Sequence, residues 1–186
     1  MKCITTALPG VLVLEPRVFG DERGFFFESF STKTLHELGI DLEWVQDNHS
    51  RSAMGVLRGL HWQTGAAAQD KLVRVVAGAV FDVAVDLRRS SPTFGAWYGI
   101  ELSALNKRQL LVPKGCAHGF LTLEDRSEFL YKCSTPYQQS AERGLLWNDG
   151  RVGIAWPSLV GVTPQLNQRD QGWPTFAAIA ATDLFS

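Results

Sequence analysis

Two short runs of this chain hold the side chains best suited to chemistry. The first is Gly55-Val-Leu-Arg-Gly-Leu-His61-Trp62-Gln63, followed by Lys71 and Gly78. The second is Pro113-Lys-Gly115-Cys-Ala-His118. An imidazole can carry a proton near neutral pH or ligate a metal. Cys116 so close to His118 raises a further reading, a thiol nucleophile activated by histidine. Each reading has a structural rival. A lone histidine in a strand-rich chain is more often a packed or surface residue, and that reading is taken for His36, while His49 stays open. Lys71 could be an edge-strand charge that blocks aggregation.

Composition narrows the field. The 186 residues are 45% hydrophobic and 20% charged, which describes one ordinary folded domain spanning 1–186 rather than a disordered chain. Lysines and arginines number 18 against 19 acidic residues, a net charge of −1 with no basic block. Nucleic acid and anionic membrane surfaces are therefore poor partners, and a bound anion must be small enough for a few placed arginines. The 3 cysteines form no CxxC pair, so a reducing, cytoplasmic setting is expected. Val11 to Leu14 is too short for a signal-peptide core or a membrane span.

The elements that must position these side chains are strands. Val80 to Asp86 alternates, with Phe81, Val83 and Val85 on one face and Asp82 and Asp86 on the other. Similar runs occur at Leu72–Val76, Tyr98–Leu102, Gln109–Val112 and Phe129–Lys132, separated by turn signals such as Ala77-Gly78 and Pro113-Lys-Gly115. This spacing predicts an all-β sandwich or barrel. Helix is expected in two places only: Thr34 to Glu37, read as a capping box stopped by Gly39, and Phe176–Leu184 after Pro174.

The two opening runs resemble the paired motifs of the cupin superfamily, a small jelly roll. In metal-binding cupins the first motif carries two histidines one residue apart, then a glutamate and a glycine. Here His61 stands in the first place, but Gln63 takes the second and Lys71 takes the glutamate's. An ammonium in that pocket repels a divalent cation and offers it no lone pair, so no metal is expected.

A wider resemblance covers nearly the whole chain, from about Thr6 to Asp170. Phe19-Gly-Asp-Glu-Arg-Gly-Phe-Phe-Phe-Glu-Ser-Phe30, Val45-Gln-Asp-Asn-His-Ser50, Gly55–Gln63, Val80–Arg88, Ser90–Gly95, Asn106–Gln109, Ala117–Phe120 and Glu128–Lys132 follow one another in order. Together they resemble the dTDP-4-dehydrorhamnose 3,5-epimerase family, which uses no metal or organic cofactor and is generally homodimeric. The resemblance implies epimerisation at C3 and C5 of a dTDP-4-keto-6-deoxy sugar, within the making of dTDP-L-rhamnose. Such chemistry needs a base, an acid across the ring, and positive charge at the developing enolate oxygen.

By the same resemblance, His61 is the base, Asp170 the carboxylate that orients it, Tyr131 the opposing acid, and Lys71 the charge at the enolate. Arg23 and Arg58 would hold the pyrophosphate, where a guanidinium fork suits the oxygens. Phe26 and Tyr137 would face the thymine, with Glu28, Gln46, Asp47 and Asn48 as polar contacts. His118, Glu142 and Arg169 match further substrate-contacting positions. The Arg23–Glu28 strand is expected to cross a dimer interface and complete the partner's site. The face carrying Asp82 and Asp86 could meet solvent, or Asp82 could orient His118. Because the reaction needs no covalent step, the Cys116 nucleophile is disfavoured.

Several places depart from the family pattern: Trp62 after the histidine, Thr64 to Asp70 before the lysine, and Arg169 in place of lysine. Relatives that epimerise one carbon or isomerise the ketone share the scaffold. A silent sugar-nucleotide binding module is the rival of another class, but it would be expected to lack His61 or Tyr131.

Overall fold

The computed structural model describes residues 1–186. In chain order the strands are β1 (Lys2–Thr5), β2 (Leu12–Glu15), β3 (Phe19–Asp21), β4 (Gly24–Phe26), β5 (Gln46–Ser52), β6 (Leu57–Gln63) and β7 (Lys71–Ala77). They continue with β8 (Ala79–Asp86), β9 (Trp97–Ser103), β10 (Gln109–Val112), β11 (Cys116–Thr122), β12 (Ser127–Cys133) and β13 (Glu142–Gly144). Two short helices, α1 (Thr32–Glu37) and α2 (Gln168–Gln171), complete the set.

A six-stranded sheet, β1-β2-β10-β7-β12-β5, faces a five-stranded sheet, β13-β6-β11-β8-β9, and β3 with β4 forms a separate hairpin. Every strand pairing within them is antiparallel. The interleaved order gives the expected jelly roll as an open sandwich, with the sheets not closed into one barrel.

Alternation along the strands sends one set of side chains between the sheets. Val73 and Val75 from β7, Val80 and Ala84 from β8, Phe120 from β11 and Phe129 from β12 meet there in one buried cluster. Asp82 and Asp86 lie on this inward face and are fully buried, so the solvent-facing reading of that side of β8 is wrong. The physical reason lies further along the chain. Leu145, Val152 and Phe176, with Trp156 and Ile179 at the margin, cover Val83 and Val85 on the outer face of the five-stranded sheet. Both faces of β8 are therefore dry, and its polar residues must find partners inside.

The expected helices need correction. Ser31, not Thr34, caps α1, accepting a hydrogen bond from the Thr34 amide at 3.2 Å. Gly39 does end that helix, with φ of 78°. Over Phe176–Leu184 there is no α-helix, only single 3-10 turns at Phe176–Ala178 and Ala181–Asp183. Ile179, Leu184 and Phe185 pack along the outer sheet face, and that burial overrides the helix propensity of the alanines between them. Lys71 lies on β7, between β10 and β12, so it is not an edge-strand charge.

Candidate active site

At one end of the sandwich the sheets part around a cavity of about 350 Å3. His61 and Arg58 reach it from β6, His118 from β11, Lys71 from β7 and Tyr131 from β12, with Tyr137, Glu142 and Arg169 among its other lining residues. The register between β6 and β11 slips after His118, which lets Arg58 and His61 share the cavity although they lie three apart. Gly59 sits between them with φ of 125°, and a Cβ there would lie 2.6 Å from the Gly119 Cα. Only glycine allows this close strand approach.

His61 Nε2 lies 2.7 Å from Asp170 Oδ1. The carboxylate comes from α2, where Asn167 caps the turn by accepting from the Asp170 amide at 2.7 Å. Its Oδ2 accepts from the Gly59 amide at 3.2 Å, and its Oδ1 also accepts from Trp173 Nε1 at 3.2 Å. Burial works to raise the Asp170 carboxyl, but the hydrogen bond and charge of His61, with the other two donors, outweigh it and hold it below the ordinary value. An imidazole held by a fixed carboxylate, with its ring partly open to a cavity, can act as a general base.

A second imidazole–carboxylate pair lies behind the first. His118 Nε2 is 3.0 Å from Asp82 Oδ2, and both side chains are buried. This settles the alternatives for Asp82: it orients His118. Burial raises the Asp82 carboxyl, against the charges of His118 and Lys71. Lys71 itself is lowered, chiefly by burial, with Cys133, Asp82 and Glu142 opposing. The ammonium has no carboxylate within ion-pair distance, so its charge is available to an anion in the cavity. Asp86, the other inward carboxylate, is spent on structure, accepting from Arg88, Ser91 and Thr93.

Tyr131 faces the cavity from the sheet opposite to His61. Burial is the main cause that raises its phenol, which keeps it protonated and able to donate. At the mouth, Glu142 Oε2 accepts from Tyr137 Oη at 3.0 Å and from Arg169 Nη1 at 2.5 Å. Gln46 and Asn48 line an adjoining recess with Lys71 and Cys133.

Some expected contacts are not brought together. Asp47 points to the other face of β5, where it pairs with Lys132 at 2.9 Å. Arg23 and Phe26 belong to the β3–β4 hairpin, away from the cavity within one chain, and Glu28 follows it. Arg23 pairs with Asp21, Phe26 is 70% exposed, and Glu28 accepts from Thr34 Oγ1. His49 pairs with Glu128 at 3.1 Å beside the cavity rim. Cys116 is packed in the core, and burial pushes its thiol up to about 12, which disqualifies it as a nucleophile. No three His, Cys, Asp or Glu side chains come together in a group that could hold a metal ion.

Trp173 was not visible as a site residue from sequence. Its closeness to Asp170 in the chain was the available signal, but nothing in that spacing shows which way the indole turns.

The sequence profile described as dTDP-4-dehydrorhamnose 3,5-epimerase matches residues 5–178. The chain belongs to the dTDP-4-dehydrorhamnose 3,5-epimerase family. The dTDP-4-dehydrorhamnose 3,5-epimerase of Salmonella typhimurium is 57% identical over 175 residues, covering 94% of each chain. The Legionella pneumophila dTDP-6-deoxy-D-glucose-3,5-epimerase, solved with dTDP-4-keto-L-rhamnose, superposes with a TM-score of 0.94 at 47% identity, over 99% of this chain and 97% of that one. A 3'-monoepimerase from Streptomyces bikiniensis, solved with dTDP-quinovose, is 34% identical with a TM-score of 0.86, over 92% of this chain and 86% of that one.

Within the epimerase family, the departures of this chain prove mostly peripheral. The Trp62 indole is buried in the outer cluster and donates to the Asp183 carbonyl at 2.9 Å, so it turns away from His61. The Thr64 to Asp70 stretch is pinned: Gln69 donates to the Thr135 carbonyl, and Asp70 accepts from the Lys114 amide. Arg169 is the departure that matters to the site, because its guanidinium reaches the Glu142 carboxylate at the cavity mouth.

Proposed function

We propose that this chain is an isomerase that epimerises C3 and C5 of dTDP-4-dehydro-6-deoxy-D-glucose to give dTDP-4-dehydro-L-rhamnose, in dTDP-L-rhamnose biosynthesis. The observation that carries the reading is the pairing of His61, on one sheet, with Tyr131, on the other, across a single cavity that also holds an unpaired Lys71. Membership of the epimerase family and the sugar-nucleotide ligands of its relatives supply the substrate class.

In this reading His61 removes the proton at C3, beside the C4 ketone. The C–H electrons form the C3–C4 double bond and the carbonyl pair moves onto O4. Lys71 meets that charge; an ammonium with no competing carboxylate, largely shielded from water by the sheets, can contribute roughly 3 kcal/mol to such a transition state. Tyr131 returns a proton to the opposite face of C3 and becomes a phenolate, while His61 leaves the step as imidazolium beside Asp170. A proton moving from His61 to Tyr131 by way of solvent resets the pair, and the same sequence at C5 completes the inversion.

Arg58, Gln46, Asn48, Tyr137, His118, Glu142 and Arg169, which line the cavity and its recess, bind the rest of the substrate in this reading. Arg23, Phe26 and Glu28 join them only if a second copy supplies its hairpin, so we assign a homodimer with shared sites. Phe25 at 64% and Phe26 at 70% exposure are apolar surface that such a contact would cover. A sedimentation mass equal to one chain would remove that assignment. Its three cysteines are free, which fits a reducing cytoplasm as its place in this reading.

The deciding experiment is position-by-position deuterium uptake from solvent into dTDP-4-keto-6-deoxyglucose. Label at both C3 and C5 is the expected result. Label at C3 alone would make this chain a single-carbon epimerase, and no label would make it a binding module.

A further inference from the structure

We infer that Trp173 is a positioning residue of the His61–Asp170 pair, holding the carboxylate in place and taking up part of its charge. The inference rests on the reading of His61 as the base. Trp173 Nε1 donates to Asp170 Oδ1, the same oxygen that faces His61. Its ring stands edge-on to the imidazole, with centroids 6.0 Å apart and planes at 73°.

The sequence makes room for this indole on the far side of β6. Gly144 is the residue of β13 in register with His61. A Cβ on Gly144 would lie 2.1 Å from the indole Cδ2, so any other residue there would displace the ring. The tryptophan is thus fixed by a bare backbone position directly beside the base. Arg169 lies over its other side, with the guanidinium carbon 5.9 Å from the ring centroid.

The consequence is electrostatic as well as geometric. A carboxylate that accepts from Gly59, Trp173 and His61 has its charge divided among three donors. The two fixed donors stop it from rotating as the imidazole gains and loses its proton. They also make the pair less basic than a carboxylate that had His61 alone, because a donor favours the unprotonated carboxylate. The neighbouring charges come from the pair's own elements and from others: Arg58 on β6, Arg169 on α2 and Lys71 on β7 are cationic, and Glu142 on β13 is anionic. His118 on β11, with Asp82 behind it, and the phenols of Tyr131 and Tyr137 complete the titratable surroundings. Of these only Arg169 reaches the same oxygen, its Nε 3.7 Å from Asp170 Oδ1, an ion pair longer than the 3.2 Å hydrogen bond of the indole N–H.

Trp173→Phe keeps a ring against Gly144 and deletes the N–H. The variants are compared at the step in which the imidazole gains its proton, as a property of the pair rather than of either residue. The midpoint of that step can be followed by the imidazole C–H resonance that disappears in His61→Ala. Trp173→Phe should raise it by about half a pH unit and carry the acid limb of kcat/KM upward with it, leaving KM near wild type. Gly144→Ala, which displaces the indole without altering it, should move the midpoint in the same direction and serves if Trp173→Phe folds poorly. An unmoved midpoint in the folded variants, even with a lowered Tm, would overturn the inference and reduce Trp173 to packing. The base assignment is tested separately: deuterium exchange surviving in His61→Ala would sink it whatever Trp173 does.

Discussion

His61–Asp170 and His118–Asp82 are the same pair of side chains in two settings. Both imidazoles sit on neighbouring strands of one sheet, opposite each other in register, and both present Nε2 to a carboxylate. The first pair joins a strand to a helix more than a hundred residues later, and 22% of its imidazole remains exposed to the cavity. The second lies wholly within the sheet, with the carboxylate at 0% exposure and the ring stacked near Phe129. Asp170 is surrounded by fixed N–H donors and is lowered against the pull of burial; Asp82 has far fewer and is raised by it. What decides the role of each pair is how many donors serve the carboxylate and whether the ring can reach a substrate.

The largest effect expected from this contrast is at His61. His61→Ala should cut deuterium exchange at both carbons by roughly a hundredfold or more, since one base serves both. Asp170 is left buried without the imidazole but keeps its Gly59 and Trp173 donors, so the Tm should fall, though less than for a carboxylate stripped of every partner. Exchange within about tenfold of wild type would show that the two pairs had been assigned the wrong way round.

Next in size is a stability effect at the buried pair. Asp82→Asn leaves His118 and the Lys71 ammonium without the carboxylate that lies among them. Losing one partner of a buried pair costs about 3 kcal/mol, a fall in Tm of roughly 6–12 °C for a chain of this length. A variant that melts within a degree of wild type would mean that Asp82 carries no charge worth losing, and the pair would be neutral packing.

Much of this contrast could be read before the fold was known, and the part that could not has a single cause. His61, Lys71, Tyr131 and Asp170 were marked by motif and order, and all four meet at one site. The strands were marked by period, and Gln109–Val112 was bounded correctly. Which face of a strand points inward is another matter. The alternation in β8 put Phe81, Val83 and Val85 together, and an apolar face beside an acidic one reads as core beside solvent. Nothing local reveals that Leu145 to Phe185 returns to cover the apolar face and leaves the acidic one inside. The same ambiguity applies to Asp47, whose neighbours Gln46 and Asn48 point to the site while it points away. Trp173 was hidden for a related reason: its direction is set by the absence of a side chain at Gly144, on a strand distant in sequence.

The smallest predicted effect is the sharpest test of the comparison, because the two carboxylates should respond to acid with opposite sign. Asp170 is lowered from 3.8, so its contribution to stability is present above that value and is lost as pH falls through its folded value. Asp82 is raised from 3.8, so the folded chain holds its proton more tightly than the unfolded one does. The pH-dependent part of its contribution, separate from the partner that the ionised carboxylate gives His118, is fully present below 3.8 and is lost as pH rises through the folded value. Denaturant melts of wild type, Asp170→Asn and Asp82→Asn at stepped pH values on either side of that point would separate the two. The stability advantage of wild type over Asp82→Asn should grow as pH falls toward 3.8, by at most about 1.4 kcal/mol per pH unit. The advantage over Asp170→Asn should hold steady down to the same point and shrink below it. Parallel curves for the two variants would mean that both carboxylates feel the same environment, and the distinction between a donor-held pair and a buried one would fail.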